Sequence, residues 1–473
     1  MILWTNATFY TMDNKKTTEN VLTNNGIIIA LGDDTKKYTP EKVIDLNNSF
    51  AFPGFVEAHM HLIGYGRKIN GLVLKEINNK DLVLKEIKSY YNNEKLLIQG
   101  YFDINITKNE LDLISFDNYI ILRHNDYHSF TVNSKVLKDL KISSENGIVT
   151  DELVTIKIKK IWEENSKETL TKYANDALES LVENGFTSVH TDDLAYFNSY
   201  LETLDILTNI SSLKNFRIYS LVHYEVLNDY VKYFNETKFL KAIQIKLFYD
   251  GTLSSKTALL NGYYTNTTNN GVRNLNNEEF LNILKIARKL NKGLAVHTIG
   301  DKATDEILSL LKTEKKAKEL DRLIHVSLLS DDALLKISNI ALDIQPLFIK
   351  SDASFISKNI NHKTNIYPYN KLISNDLLVN LSSDAPVEEI SPLLNLSILS
   401  DTNRYDLIKC YTVNPNKTIG VKAGMIKEGY LADFTIFDSD IININKDELL
   451  NTNIYMTVID EKIVYKNKRG LKL

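Results

Sequence analysis

From residue 173 to residue 385 the chain alternates short apolar runs with longer stretches of helical period. The runs fall at 187–190, 216–222, 242–248, 293–297, 322–326, 341–344 and 378–382, and the segments between them, such as 173–183, space their apolar residues by three and four. Short continuous apolar runs read as strands buried on both faces of a parallel sheet, and the amphipathic stretches as the helices that cover it. An eighth run, Phe52, Phe55 and Val56 around Pro53-Gly54, precedes the series. Eight such units predict an α/β fold of the (β/α)8 TIM-barrel type.

The two ends of the chain carry a different pattern. Short β-like runs punctuated by turns fall at 7–12, 26–32 and 43–46, then at 434–437 and as two strands within 455–465 around Asp460-Glu461. Neither group can bury its own apolar face, so 1–50 and 424–473 are expected to pair into one small composite β-sandwich domain beside a barrel domain at 51–423. Residues 67–166 are too many for a βα loop. With strand-like pieces at 95–102 and 118–124, they read as an inserted subdomain after the first barrel strand that covers the substrate at the barrel mouth.

Composition narrows the class of partner. The chain has 473 residues, 43% hydrophobic and 25% charged, enough to bury a large core. Its 56 basic residues are balanced by 60 acidic ones, for a net charge of -4, which excludes a bulk attraction to nucleic acid or to an anionic membrane. No apolar stretch approaches the ~18 residues of a membrane span, the N-terminus lacks the pattern of a signal peptide, and the lone Cys410 has no intramolecular disulfide partner. A cytoplasmic protein with a small-molecule substrate is expected, with a homodimer as the base-rate assembly.

The chemistry sits in the same runs. His59 and His61 lie two apart in an extended segment, so their imidazoles point the same way. A His-x-His pair alone arises often by chance. Here Lys246 lies in the fourth run, His297 ends the fifth, His325 lies in the sixth and Asp384 follows the eighth. A barrel gathers the C-terminal ends of its strands into one site, so all six residues are predicted to converge. Imidazoles and a carboxylate suit a borderline divalent ion such as zinc. Lys246 could instead make an ordinary salt bridge with Asp250 or a nearby carboxylate, since an ammonium has no lone pair for a metal.

These residues stand in motifs that resemble the amidohydrolase superfamily, and within it the amidohydrolase-3 branch to which the N-substituted formamide deformylases belong. The resemblance runs from end to end. It rests on Pro53-Gly-Phe-Val-Glu-Ala-His-Met-His61, Lys246-Leu-Phe-Tyr-Asp-Gly-Thr-Leu-Ser-Ser-Lys-Thr-Ala258, His297-Thr-Ile-Gly-Asp-Lys-Ala303, Ile324-His-Val-Ser327, Ile344-Gln-Pro346, Ser383-Asp-Ala-Pro-Val387 and Gly424-Met-Ile-Lys-Glu-Gly-Tyr-Leu-Ala-Asp-Phe434. A further branch-like piece, Asp126-Tyr-His-Ser-Phe-Thr-Val-Asn-Ser-Lys-Val-Leu137, lies in the insert. The chain departs from the branch at Tyr127, where Gly is usual, and at Ile324, where Glu is common.

The resemblance implies hydrolysis of a non-peptide C–N bond of amide or N-substituted formamide type by a hydroxide bridging two divalent ions, zinc by preference. His59, His61 and Asp384 would hold one ion, His297 and His325 the other, with Lys246 bridging them as an N-carboxylated lysine. Asp384 would take the proton of the nucleophile and return it to the leaving nitrogen. Arg123, His128 and Asp250 are the candidate substrate contacts. His190 and His223 could touch substrate or serve as structural histidines, Asp301 could orient His297 or cap a helix, and His362 is expected to be exposed. The competing reading is a mononuclear deaminase of a heterocyclic amine, which typically has a Glu three residues after the fifth-strand histidine. Gly300 stands there instead.

Overall fold

The computed structural model describes residues 1–467 except 15, 75, 76, 78, 102, 103, 125–128, 151–156, 159 and 162–164. The chain divides into two compact units, Met1–Leu62 with Leu178–Ala195 and Thr203–Leu473, and Ile63–Ala177 with Tyr196–Glu202.

The first unit contains the barrel. Its strands are β1 (Phe55–Met60), β2 (Phe186–Thr191), β3 (Arg217–His223), β4 (Leu240–Phe248), β5 (Leu294–Thr298), β6 (Arg322–His325), β7 (Ala341–Ile344) and β8 (Val379–Leu381), each hydrogen-bonded to the next in parallel. Nearly every strand residue is buried, as expected for a parallel sheet covered on one side and closed on itself on the other. The ring closes just past β8, where Asp384 N–H donates to His59 O at 2.9 Å and His61 N–H donates to Ala385 O at 2.7 Å.

The barrel interior is partly polar. Arg322, fully buried at the start of β6, donates to Ala58 O, His190 Nδ1, Asp343 Oδ2 and Gln244 Oε1 at 3.1, 3.1, 2.9 and 2.7 Å. A guanidinium in a dry interior needs partners for its donors and its charge, and this cage engages both terminal nitrogens and pairs the charge with Asp343, while Nε has no hydrogen-bond partner among the described residues. His190 is therefore one wall of a core network.

The terminal segments of the same unit form one eight-stranded sheet, in which Lys42–Pro53 runs parallel to Ile2–Tyr10 and antiparallel to Phe434–Phe437. The sheet curls until Ile28 N–H reaches Tyr430 O at 2.9 Å, enclosing Trp4, Phe9, Phe434 and Met456. It is tied to the barrel by Arg217, whose Nε and Nη2 donate to the two oxygens of Asp433 at 2.6 and 3.0 Å.

The second unit has a five-stranded sheet in the order Ile148–Val149, Phe130–Val132, Ile120–His124, Leu96–Tyr101, Leu72–Val73. The unit begins earlier and ends later than the expected 67–166. The helix Leu62–Ile69 packs so closely on Lys167–Glu183 that a Cβ at Gly66 would lie 1.9 Å from Tyr173 O. Tyr196–Glu202 joins the unit because Asn198 Nδ2 donates to Asn165 O at 2.8 Å and the Phe197 ring lies 5.9 Å from the Arg67 guanidinium.

Candidate metal centre

All six predicted residues belong to the first unit, and the parallel register explains their meeting. Lys246 pairs with His223, Phe248 with His297, and Thr298 with His325, so the side chains rise together at the C-terminal rim. His59 Nε2 lies 3.3 Å from Lys246 Nζ and 3.4 Å from Asp384 Oδ1, and His61 Nε2 lies 3.9 Å from the same carboxylate oxygen. Ligand atoms of His59, His325 and Asp384 all fall within 4.8 Å of one another.

The hydrogen bonds fix which ring nitrogens carry the protons. His61 Nδ1 faces Asp192 O at 2.9 Å, and His297 Nε2 faces Gly251 O at 3.2 Å. A carbonyl can only accept, so these nitrogens carry the protons. His325 Nδ1 likewise faces Gln345 Oε1 at 2.9 Å, while Gln345 Nε2 donates to Ser382 Oγ at 2.8 Å. In the neutral form, rings so held present lone pairs at His61 Nε2, His297 Nδ1 and His325 Nε2. The last two face each other at 3.0 Å. Two opposed lone pairs repel, and a cation between or beside them removes that repulsion, so the donor set fits a divalent metal.

Electrostatics keep His59, His297 and His325 in ligand form. Burial, then the Lys246 charge, holds His59 well below its usual value of 6.5 and His297 at about 4. Burial, then the neighbouring His297, does the same for His325. Burial also lowers Lys246, whose side chain is wholly enclosed.

The backbone is strained at the same place. His325 has φ 83°, Val326 φ 42° and Asp384 φ 56°, in the left-handed region that L-residues seldom occupy. Such residues cost on the order of 1–3 kcal/mol each and persist where surrounding bonds over-determine them. Here Tyr369 Oη donates to His325 O at 3.2 Å, and Val326 N–H to Thr298 O at 2.9 Å.

Several expectations need correction. Asp250 is no substrate contact, because its side chain is fully buried and its oxygens accept from Ile299, Gly300 and Leu259 N–H at 3.0, 2.8 and 2.9 Å. It makes no salt bridge to Lys246 either. Instead it locks the ends of β4 and β5 beside His297, with Oδ1 3.9 Å from His297 Nε2. Burial pushes its carboxyl up to about 7 despite those three amides. Asp301 does not orient His297: its oxygens take Asn261 and Lys302 N–H and, at 2.8 Å, His362 Nε2. His362 is thus half-buried against Gly262 rather than exposed.

His223 accepts from Glu225 N–H at 3.3 Å through Nδ1 and lies 5.8 Å from the Phe248 ring, a capping role at the end of β3. In the second unit, Arg123 sits on strand Ile120–His124 opposite Phe130, and His124 Nε2 bonds Thr131 Oγ1 at 2.8 Å. His128 and Tyr127 lie outside the described residues. The supporting role of Gln345 was invisible in sequence, although the Ile344-Gln-Pro346 motif that carries it was not.

A family model described as "Amidohydrolase family" matches residues 42–465. The chain is similar to YtcJ of Bacillus subtilis (strain 168), 28% identical over 98% of this chain and 99% of that protein. It resembles in fold an uncharacterized metal-dependent hydrolase from Pyrococcus furiosus, with a TM-score of 0.81 and 23% identity over 93% of this chain and 100% of that one. The fold of atrazine chlorohydrolase TrzN from Arthrobacter aurescens TC1, complexed with zinc, superposes with a TM-score of 0.63 at 13% identity, covering 100% of this chain and 97% of that one. The chain belongs to the amidohydrolase family and is a hydrolase of C–N bonds built on a (β/α)8 barrel.

Proposed function

We propose that this enzyme hydrolyses an amide or N-substituted formamide bond of a small molecule, using a binuclear centre of zinc type. His59, His61 and Asp384 would hold one ion, His297 and His325 the other, and Lys246 would bridge them as an N-carboxylated lysine. The observation that carries this reading is the pair of opposed lone pairs on His297 Nδ1 and His325 Nε2, 3.0 Å apart, beside a buried lysine 3.3 Å from His59 Nε2. An ammonium repels a cation, whereas a lysine that has shed its proton can add carbon dioxide and become an anionic ligand; the burial that lowers Lys246 favours that loss.

Divalent metal bound here supplies Lewis acidity and brings the pKa of water to about 7. The remaining work falls to this chain's side chains. Asp384, 12% exposed at the rim, would accept a proton from the attacking water and return it to the leaving nitrogen. Gln345, Gly251 O and the Asp192 carbonyl would hold the three rings in the tautomers that leave their lone pairs inward. Zinc in the TrzN structure supports the choice of ion.

Gly300, three residues after His297, speaks against ring deamination, for no carboxylate stands there and the nearby Asp301 is spent on His362. The test is a screen of formamides and amides against aminated heterocycles, following amine or ammonia release by zinc-loaded wild type and Asp384→Asn. Amine release from an amide, abolished in the variant, is expected. Ammonia release from a heterocycle alone would overturn the reading.

A further inference from the structure

Glu57 has no place in the reaction, yet it is fully buried beside the centre. Strand β1 ends in His59 and His61, and β8 leads into Asp384. These strands share no run of paired residues, unlike the other neighbours around the barrel. Along this seam two backbone bonds join the chains just past the end of β8, Asp384 N–H to His59 O at 2.9 Å and His61 N–H to Ala385 O at 2.7 Å. A ladder normally supplies backbone acceptors for backbone donors.

At this seam the Glu57 side chain supplies one. Its Oε1 accepts from His59 N–H at 3.2 Å and from Ser383 N–H at 3.0 Å. One oxygen thus binds the backbone of a β1 ligand and the residue before the β8 ligand. Asp384 then adopts φ 56°, and its Oδ1 comes to 3.4 Å from His59 Nε2. The other oxygen, Oε2, has no hydrogen-bond partner among the described residues. A carboxyl enclosed with one bare oxygen is costly to bury, so an apolar residue would be the more stable choice for the core alone. Its presence is explained by the two amides it joins.

We propose that Glu57 is a positioning residue, a side-chain clasp that adds to the two backbone bonds of this seam and sets the spacing of His59 and Asp384 for metal binding. The proposal rests on the metal-centre reading above. It requires the acceptor oxygen but not a negative charge, so Glu57→Gln preserves the clasp and Glu57→Ala removes it.

The test uses the full chain, stripped of metal and then titrated with Zn2+ against a chromophoric chelator, with hydrogen exchange followed on the stripped protein for peptides spanning residues 57–61 and 382–386. Outer contacts of this kind change metal affinity about 10–100-fold. Glu57→Ala is expected to weaken zinc binding within that range and to speed exchange in both peptides. Glu57→Gln is expected to stay within about threefold of wild type and to exchange as slowly. Equal loss in both variants, or wild-type affinity and exchange in Glu57→Ala, overturns the clasp. If Glu57→Ala does not fold, Glu57→Gln decides: wild-type affinity and exchange support the clasp, and loss of either overturns it. If wild type itself takes up no zinc, the functional reading fails, while the exchange comparison still decides the clasp.

Discussion

His325 and Gln345 meet through a single hydrogen bond, Nδ1 to Oε1 at 2.9 Å, and that bond settles which nitrogen of His325 is available to a metal. Gln345 cannot turn its amide around, because its Nε2 is engaged by Ser382 Oγ, which itself donates to Ile344 O at 3.2 Å. A relay of three polar groups along β7 and β8 thus fixes one tautomer on β6. Replacing Gln345 with Leu should release the ring and lower zinc affinity about 10–100-fold, while Gln345→Glu, which keeps an acceptor at the same place, should lose much less. Chelator competition on both variants measures the difference.

Asp384 is asked to be both ligand and proton carrier. Asn keeps the size and one oxygen but cannot carry the proton, so Asp384→Asn should fold with an unchanged melting temperature and lose about 10³-fold in turnover. Steady-state kinetics on any accepted amide, beside a thermal melt, checks both halves. Turnover near wild type would remove Asp384 from the chemistry.

Asp250 is predicted to act through stability. Its two oxygens serve three backbone amides in a fully buried setting, and an Asn has only one oxygen to offer. Stranding one or two amides at roughly 1–3 kcal/mol each gives an expected loss of about 2–4 kcal/mol for Asp250→Asn, read from urea unfolding.

Acid should weaken the fold through His190. Burial, then the Arg322 charge, holds this imidazole well below the ordinary 6.5, so the folded ring stays neutral while the unfolded ring takes up a proton. The unfolded state therefore binds more protons below pH 6.5. The stability that His190 contributes is complete above that pH and is lost as pH falls beneath it, by up to about 1.4 kcal/mol per pH unit for one group. His190→Gln, which can still accept from Arg322, should flatten the acid limb of a stability profile measured between pH 8 and pH 5. An unchanged slope would show that the ring is not held neutral.

The parts of the molecule legible in sequence were those that repeat or that sit on strands. Apolar runs ending in His297 and His325 could be read because a parallel strand buries both faces and the barrel stacks the ends. Contacts set by loops could not. Asp250 looked like a rim carboxylate because nothing in Tyr249-Asp-Gly251 tells that Leu259, Ile299 and Gly300 will fold back onto it. His362 looked exposed in its polar loop, since its partner Asp301 lies 61 residues away. Glu57 and Gln345 stood inside recognised motifs, but their bonds cross between strands that only closure of the barrel brings together.

The most direct test of the binuclear centre is the metal content of the chain, measured by plasma mass spectrometry after purification without chelator or a histidine tag. The arrangement of His59, His61, Lys246, His297, His325 and Asp384 predicts close to two divalent ions per chain after zinc reconstitution, and a value of one or below would contradict it.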